Sequence, residues 1–282
     1  MAEQGVWRAR QSDMATERRA AENDGDSIRC EREWGALRLC ALRVMNGEKT
    51  RVNGNAAGRY FSVSFPAPAL LLPEEDATLE AAICDAVRYF LPQEARRILV
   101  AGLGNRRLTA DALGPLAADG VLPSALLPEA LHAALSPDAP RVFVIAPDVF
   151  AQTGIESIAL IGAAASLVRA DALVVFDALA ARDPERLLSA VELTDTGTVP
   201  GSGVKNARGA LCEGTLGIPV LSIGVPTVVR EEGEFLLMRA ASEEGIRHLA
   251  ALLARAFSRA LAKEDGAASL PIFEMFERKE SV

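Results

Sequence analysis

Histidine is almost missing from this chain: there are two, His132 and His248, in 282 residues. Both fall on or near stretches with the patterning of surface helices and read as solvated helix residues. A Ser-His-Asp triad and a histidine-ligated metal therefore find no support. Cysteine is scarce too. Cys30, Cys40, Cys84 and Cys212 are widely spaced and form no CxxC pair, which argues against a zinc ribbon or a dense disulfide framework; they are expected to be reduced, partly buried thiols of a cytoplasmic protein. Positive charge is in deficit, with 30 Lys and Arg against 38 Asp and Glu and a formal net charge of -8. Such a surface repels a phosphate backbone, so no direct nucleic-acid partner is expected. Long apolar runs are absent as well. The uncharged stretch Leu216 to Val229 is cut by Pro219 and Pro226 and falls short of the ~20 apolar residues of a membrane span. The polar N-terminus lacks the apolar centre of a secretory signal, so export and a membrane partner are not expected.

What the chain does have is apolar material: half its residues are hydrophobic and 24% are charged, enough to offset chain entropy over most of its length. Residues 1–30 carry many charges and few large apolar groups, and read as a mobile arm packed weakly on a single α/β domain, 31–282. Ala36 to Val44 and Tyr60 to Phe65 flank the turn-forming Asn53-Gly54-Asn55 and predict an antiparallel hairpin, a small appendage to the main body. Pro73 opens a helix whose Leu79, Ile83, Ala86 and Phe90 form one apolar stripe. Beyond it, apolar runs at 98–101, 142–145, 173–176 and 218–223 alternate with helical stretches near 111–119, 156–169 and 242–263. Unbroken rather than alternating apolar strands indicate a mostly parallel sheet covered by helices on both faces, a three-layer α/β sandwich.

An open parallel sheet binds its ligand at the carboxyl ends of its strands. Two carboxylates stand there: Asp111, in the segment that leaves the strand ending near Ala101, and Asp177, which terminates the strand ending at Phe176. If the strands are neighbours the two acids face a common crevice, and such a pair suits peptide hydrolysis, one taking a proton from the attacking water and the other, kept protonated, polarising the carbonyl or protonating the amine. Each has a plainer reading. Asp111 precedes a helix and is placed to be its N-cap; Asp177 ends an apolar strand, where an unpaired charge is costly, and Arg182 is close enough in sequence to be a structural ion-pair partner. A dinucleotide loop is disfavoured, because Arg107 stands where the third glycine of GxGxxG belongs after Gly102 and Gly104. Asp111 and Asp177, with Asp195, also make an all-oxygen site for a hard cation conceivable, so a metal-dependent hydrolase using the same carboxylates stays an alternative.

Several segments, in order, resemble the spore germination protease family. Gly102-Leu103-Gly104-Asn105 and Thr109 to Pro115 are similar to its GLGN and TPDALGP signatures, Thr153-Gly154-Ile155-Glu156-Ser157 to its TGIET stretch, and Asp177 to Arg182 to its DALAAR. Asp195-Thr196-Gly197, Pro200 to Val204 with Asn206, Thr215 to Val220 and Ile223 to Val229 extend the match. The chain departs from the pattern at Ala110, Asp148, Lys205 and Gly214, and Asp148 replaces a glycine that points to a positive φ. The resemblance implies a fold like that of hydrogenase-maturation proteases, Asp111 and Asp177 as the essential aspartates, no cofactor and no metal, and Gly102, Gly104, Asn105 and Thr153 shaping the crevice. It also implies a homotetramer in the spore core that digests small acid-soluble spore proteins. Arg10 to Glu17 resembles the family's self-processing sequence, which makes the arm a propeptide with cleavage expected between Asp13 and Met14. A relative that binds spore proteins without cutting them is the non-enzymatic alternative.

Overall fold

The computed structural model describes residues 12–18, 27–45, 56–66, 73–135, 138–199, 209–230, 236–237, 242–262 and 270–274. The predicted turn at Asn53-Gly54-Asn55 and the stretch 200–206 lie outside them. In chain order the elements are α1 (Ala15–Arg18), β1 (Ser27–Trp34), β2 (Leu37–Val44), β3 (Gly58–Ser64), α2 (Pro73–Phe90), β4 (Arg97–Gly102), α3 (Leu113–Asp119), α4 (Glu129–Leu135) and β5 (Arg141–Ile145). They continue with α5 (Phe150–Thr153), α6 (Ser157–Val168), β6 (Ala172–Ala181), β7 (Ala190–Thr194), α7 (Glu213–Leu216), β8 (Val220–Arg230), β9 (Leu236–Leu237) and α8 (Ser242–Leu261).

All the strands form one nine-stranded sheet in the order β1-β2-β3-β7-β8-β6-β4-β5, with β9 paired to β8. The half β8-β6-β4-β5 is parallel and the rest antiparallel. The expected hairpin forms with Leu39 opposite Val63, but it is no appendage: β3 pairs with β7, so the hairpin prolongs the central sheet. β1 begins at Ser27, inside the span read as the arm, and adds a further strand on β2. Its residues are half-buried or exposed throughout, and without an apolar face it left no strand signal in the sequence.

Side-chain alternation divides the core in two. Ile98, Val100, Val174, Phe176, Ile223 and Leu193 point to a face covered by α2, α3 and α8, whose Leu79, Ile83, Leu249, Leu253 and Phe257 are buried against them. This is the larger core. Leu99, Ala101, Leu173, Val175 and Val220 point the other way, onto Ile161 and Ala165 of α6. Over the antiparallel half of that second face, the cover is the N-terminal segment itself: Ala15 packs on Leu42, Val44 and Tyr60, and Met14 on Ala181 and Ala190. The weak packing expected of the arm is thereby corrected, since Met14, Ala15 and Thr16 have no exposed surface. Met14 fits where the sheet presents the small side chains of Ala181 and Ala190. His132 differs from expectation too: it is buried, its Nε2 3.4 Å from the carbonyl oxygen of Pro140, whereas His248 sits half-exposed at 2.7 Å from Asp76. All four cysteines are free thiols, and burial pushes that of Cys40 up to about 11.

Candidate active site

β4 ends at Gly102, opposite Phe176, and the loop that leaves it carries Asp111; β6 runs on to Ala181, so Asp177 lies within the strand, at the level where β4 stops, and does not terminate it as expected. The loop leaving β4 is tied to β6 by the Leu103 amide, which donates to the Phe176 carbonyl at 2.9 Å. A Cβ on Gly102 would stand 2.4 Å from the Gly114 carbonyl oxygen, and one on Gly104, whose φ is 119°, would stand 2.0 Å from that of Asp111. Only glycine lets this loop lie so close to the turn Thr109–Asp111 and to the start of α3. Within it, the Asn105 amide donates to Asp111 Oδ2 at 2.7 Å, and Asn105 Oδ1 accepts from the Arg107 amide and from Gln152. Asp111 is therefore not the N-cap of α3; Ala112 is, with no side-chain cap bond.

The turn is held from below by β8. Between Leu179 and Ala180 the β6–β8 register slips, pairing them with Pro226 and Val228 and leaving Thr227 as the extra residue of a bulge. Its buried hydroxyl donates to the Ala110 carbonyl at 2.6 Å. A bulge re-aims one side chain, and here the side chain it turns fixes the residue next to Asp111.

Asp177 shares the face of Leu173 and Val175. Its Oδ1 accepts from the Ala178 amide at 2.9 Å and its Oδ2 from the Thr198 hydroxyl at 3.2 Å. Thr198 is in turn fixed by a two-way backbone pairing with Leu211. Burial is the main reason that Asp177 holds its proton up to about 7; the charge of Asp111 raises it further, Thr198 opposes, and the charge of Asp13 adds to the rise. Asp111 is also raised, by burial first, against the Asn105 amide and with the charge of Asp148. The two acids thus sit close enough for one to alter the other's hold on its proton.

Other expected participants are placed differently. Arg182 forms no ion pair with Asp177 among the described residues: it follows the last residue of β6, its amide donates to Glu17, and its Nε is buried without a hydrogen-bond partner. Thr153 is exposed and serves its own turn, its hydroxyl donating to the Ile155 carbonyl. Asp195 is drawn into an ion pair with Arg59 at 2.7 Å, and no group of three or more metal-ligating side chains occurs among the described residues. Asp148 has the positive φ, 65°, that its place in the sequence suggested. Sequence reasoning missed Thr198 and Thr227, because a hydroxyl in a loop or an apolar strand carries no pattern of its own.

The N-terminal segment approaches this pair. The Asp13 amide donates to the Ala180 carbonyl at 2.8 Å and Asp13 Oδ2 accepts from the Ala180 amide at 3.0 Å. Farther along, Glu17 accepts from the amides of Arg182 and Asp183 at 2.7 and 3.1 Å.

A family model described as germination protease matches residues 5–233. Among similar curated proteins, all called germination protease, that of Geobacillus sp. (strain WCH70) is 47% identical over 211 residues, covering 71% of this chain and 54% of the relative. Those of Bacillus subtilis (strain 168) and Caldanaerobacter subterraneus subsp. tengcongensis are 35% and 33% identical, covering 72% and 77% of this chain and 56% and 68% of the relatives. The chain spans between about half and two-thirds of the length of these relatives. The solved [NiFe] hydrogenase maturation protease HycI from Thermococcus kodakarensis KOD1 aligns with 64% of this chain and 99% of its own at 18% identity and a TM-score of 0.36. On the match of the family model and of relatives a third or more identical, the chain belongs to the germination protease family.

Proposed function

We propose that the chain is a spore germination endopeptidase that cuts peptide bonds with Asp111 and Asp177 as its acid–base pair, made as a zymogen whose first cut falls between Asp13 and Met14. The observation that carries this is that two carboxylates beside the loop leaving β4 are both raised by burial, Asp177 further by the charge of Asp111. Asp177, raised to about 7 with Asp111's charge among the causes, retains a proton that Asp111 gives up first. Asp111 is then the base that takes a proton from the attacking water, and Asp177 the acid that polarises the scissile carbonyl. Water's oxygen bonds to the carbonyl carbon, the C–N bond breaks, and the freed amine leaves carrying a proton. Membership of the family supports small acid-soluble spore proteins as substrates, a homotetramer as the working assembly and the spore core as the location. No described helix is long and apolar enough to cross a membrane.

The test is incubation of the purified chain, alone and with a small acid-soluble spore protein, followed by intact-mass analysis. A fragment starting at Met14 and digestion of the substrate are expected, both lost in Asp111→Asn and Asp177→Asn. Binding without any cut in the wild type would leave a non-catalytic module, and activity abolished by chelation and restored by a divalent ion would favour the metal-dependent alternative.

A further inference from the structure

On β7, Glu192 is 5% exposed and lies on the sheet face that α2 and α8 do not cover. A buried carboxylate needs donors, and the N-terminal segment supplies three: the Ala15 amide at 2.8 Å, the Thr16 amide at 3.1 Å and the Thr16 hydroxyl at 2.7 Å. We infer that Glu192 is the positioning residue for the bond between Asp13 and Met14, gripping the chain just past it while Ala180 of β6 grips the chain just before it. This rests on the proposal that the bond is the one cut.

The geometry fits. Glu192 and Asp177 both lie opposite Gly224, one from each side, so they are two strand spacings apart, about 10 Å. Two residues of extended chain, about 7 Å, together with a glutamate side chain bridge that distance. The segment accordingly crosses from Ala180, which exchanges hydrogen bonds with Asp13, to Glu192, which takes Ala15 and Thr16. Between the two grips, Met14 is buried on Ala181 and Ala190 with Arg186 at 3.9 Å from its sulfur. A carboxylate that accepts two successive amides holds the backbone there, and the Thr16 hydroxyl sets the register: a slip of one residue would carry that hydroxyl away. Its contacts are to backbone and to a hydroxyl, so it selects where the chain is held and takes no proton in the reaction. The hydroxyl contact also gives the grip a side-chain preference, since Ser or Thr satisfies it and Val does not.

The experiment follows self-cleavage of the full chain by intact-mass analysis, with hydrogen exchange of the segment measured in parallel in an Asp177→Asn background. In Glu192→Gln, a neutral isostere that loses one acceptor oxygen, cleavage at the bond is expected to slow by about tenfold or more, the scale of a hydrogen bond to a charged group, and cuts at neighbouring bonds are expected to appear. Thr16→Val is expected to show a milder slowing and Thr16→Ser near-normal cutting. A role confined to stability would leave the position of the cut unchanged. The amides of Ala15 and Thr16 are expected to exchange faster in Glu192→Gln while those of β6 do not change. Cutting of the same single bond at the wild-type rate in Glu192→Gln, or unchanged exchange, overturns the inference and leaves the protease reading intact. A wild type that never cuts sinks the protease reading, and with it any part for Glu192 in cleavage, even if the exchange data show it anchoring the segment.

Discussion

Replacing Asp177 by Asn should change how stability depends on pH, in a direction that follows from its environment. An ordinary aspartate ionises near 3.8, and in the folded chain Asp177 does so at about 7. Below the lower value both folded and unfolded chains carry the proton and the group is neutral in the balance. Between the two values the folded chain keeps a proton that the unfolded chain has lost, so stability falls as pH rises, by about 1.4 kcal/mol per unit, and levels off above 7. The gap of about three units corresponds to about 4 kcal/mol at most, and we expect about 2–4 because the residue's half-open edge screens part of it. Asn cannot ionise. It also accepts only one of the two bonds that Ala178 and Thr198 donate, which adds an offset of about 1 kcal/mol that does not vary with pH. Urea unfolding of both proteins at half-unit steps from pH 4 to 8.5 separates the slope from the offset. The variant should gain on the wild type steadily up to pH 7 and then run parallel to it. Curves that are parallel throughout would refute a proton held by burial and by the charge of Asp111.

Three further outcomes follow from the same structure. Gly104→Ala sets a Cβ 2.0 Å from the Asp111 carbonyl oxygen at a φ of 119°, so it should destabilise by about 2–4 kcal/mol and lower cleavage more than a surface alanine does, as read by thermal unfolding and substrate digestion. Thr227→Val keeps the shape but leaves the Ala110 carbonyl without its 2.6 Å donor; a loss of about 1–3 kcal/mol and a lower kcat with little change in KM are expected. Met14→Ala empties a fully buried position on Ala181 and Ala190 and should cost about 2–5 kcal/mol in the uncut chain, whereas a truly loose arm would make the change silent in unfolding experiments.

Much of this protein was legible in its order of residues. Continuous apolar runs at 98–101, 142–145, 173–176 and 218–223 became β4, β5, β6 and β8, because a strand covered on both faces must be apolar at every position. The stripe of Leu79, Ile83, Ala86 and Phe90 is buried along α2 for a similar reason. The ends of the apolar runs drew attention to Asp111 and Asp177, although β6 carries on past Asp177 to Ala181, and the turn-favouring place of Asp148 did show a positive φ. Tertiary structure decided the rest. Whether the Asp111 carboxylate capped α3 or took the Asn105 amide depended on how closely a glycine loop could fold back. Arg182, just past the end of β6, makes no ion pair with Asp177 among the described residues, and Asp195 was claimed by Arg59, far away in sequence. The polar N-terminal segment gave the least away, since nothing in its composition foretells burial. It is held inside by Glu192, Ala180 and the small residues Ala181 and Ala190, contacts that join positions more than 160 apart and exist only once the chain has folded.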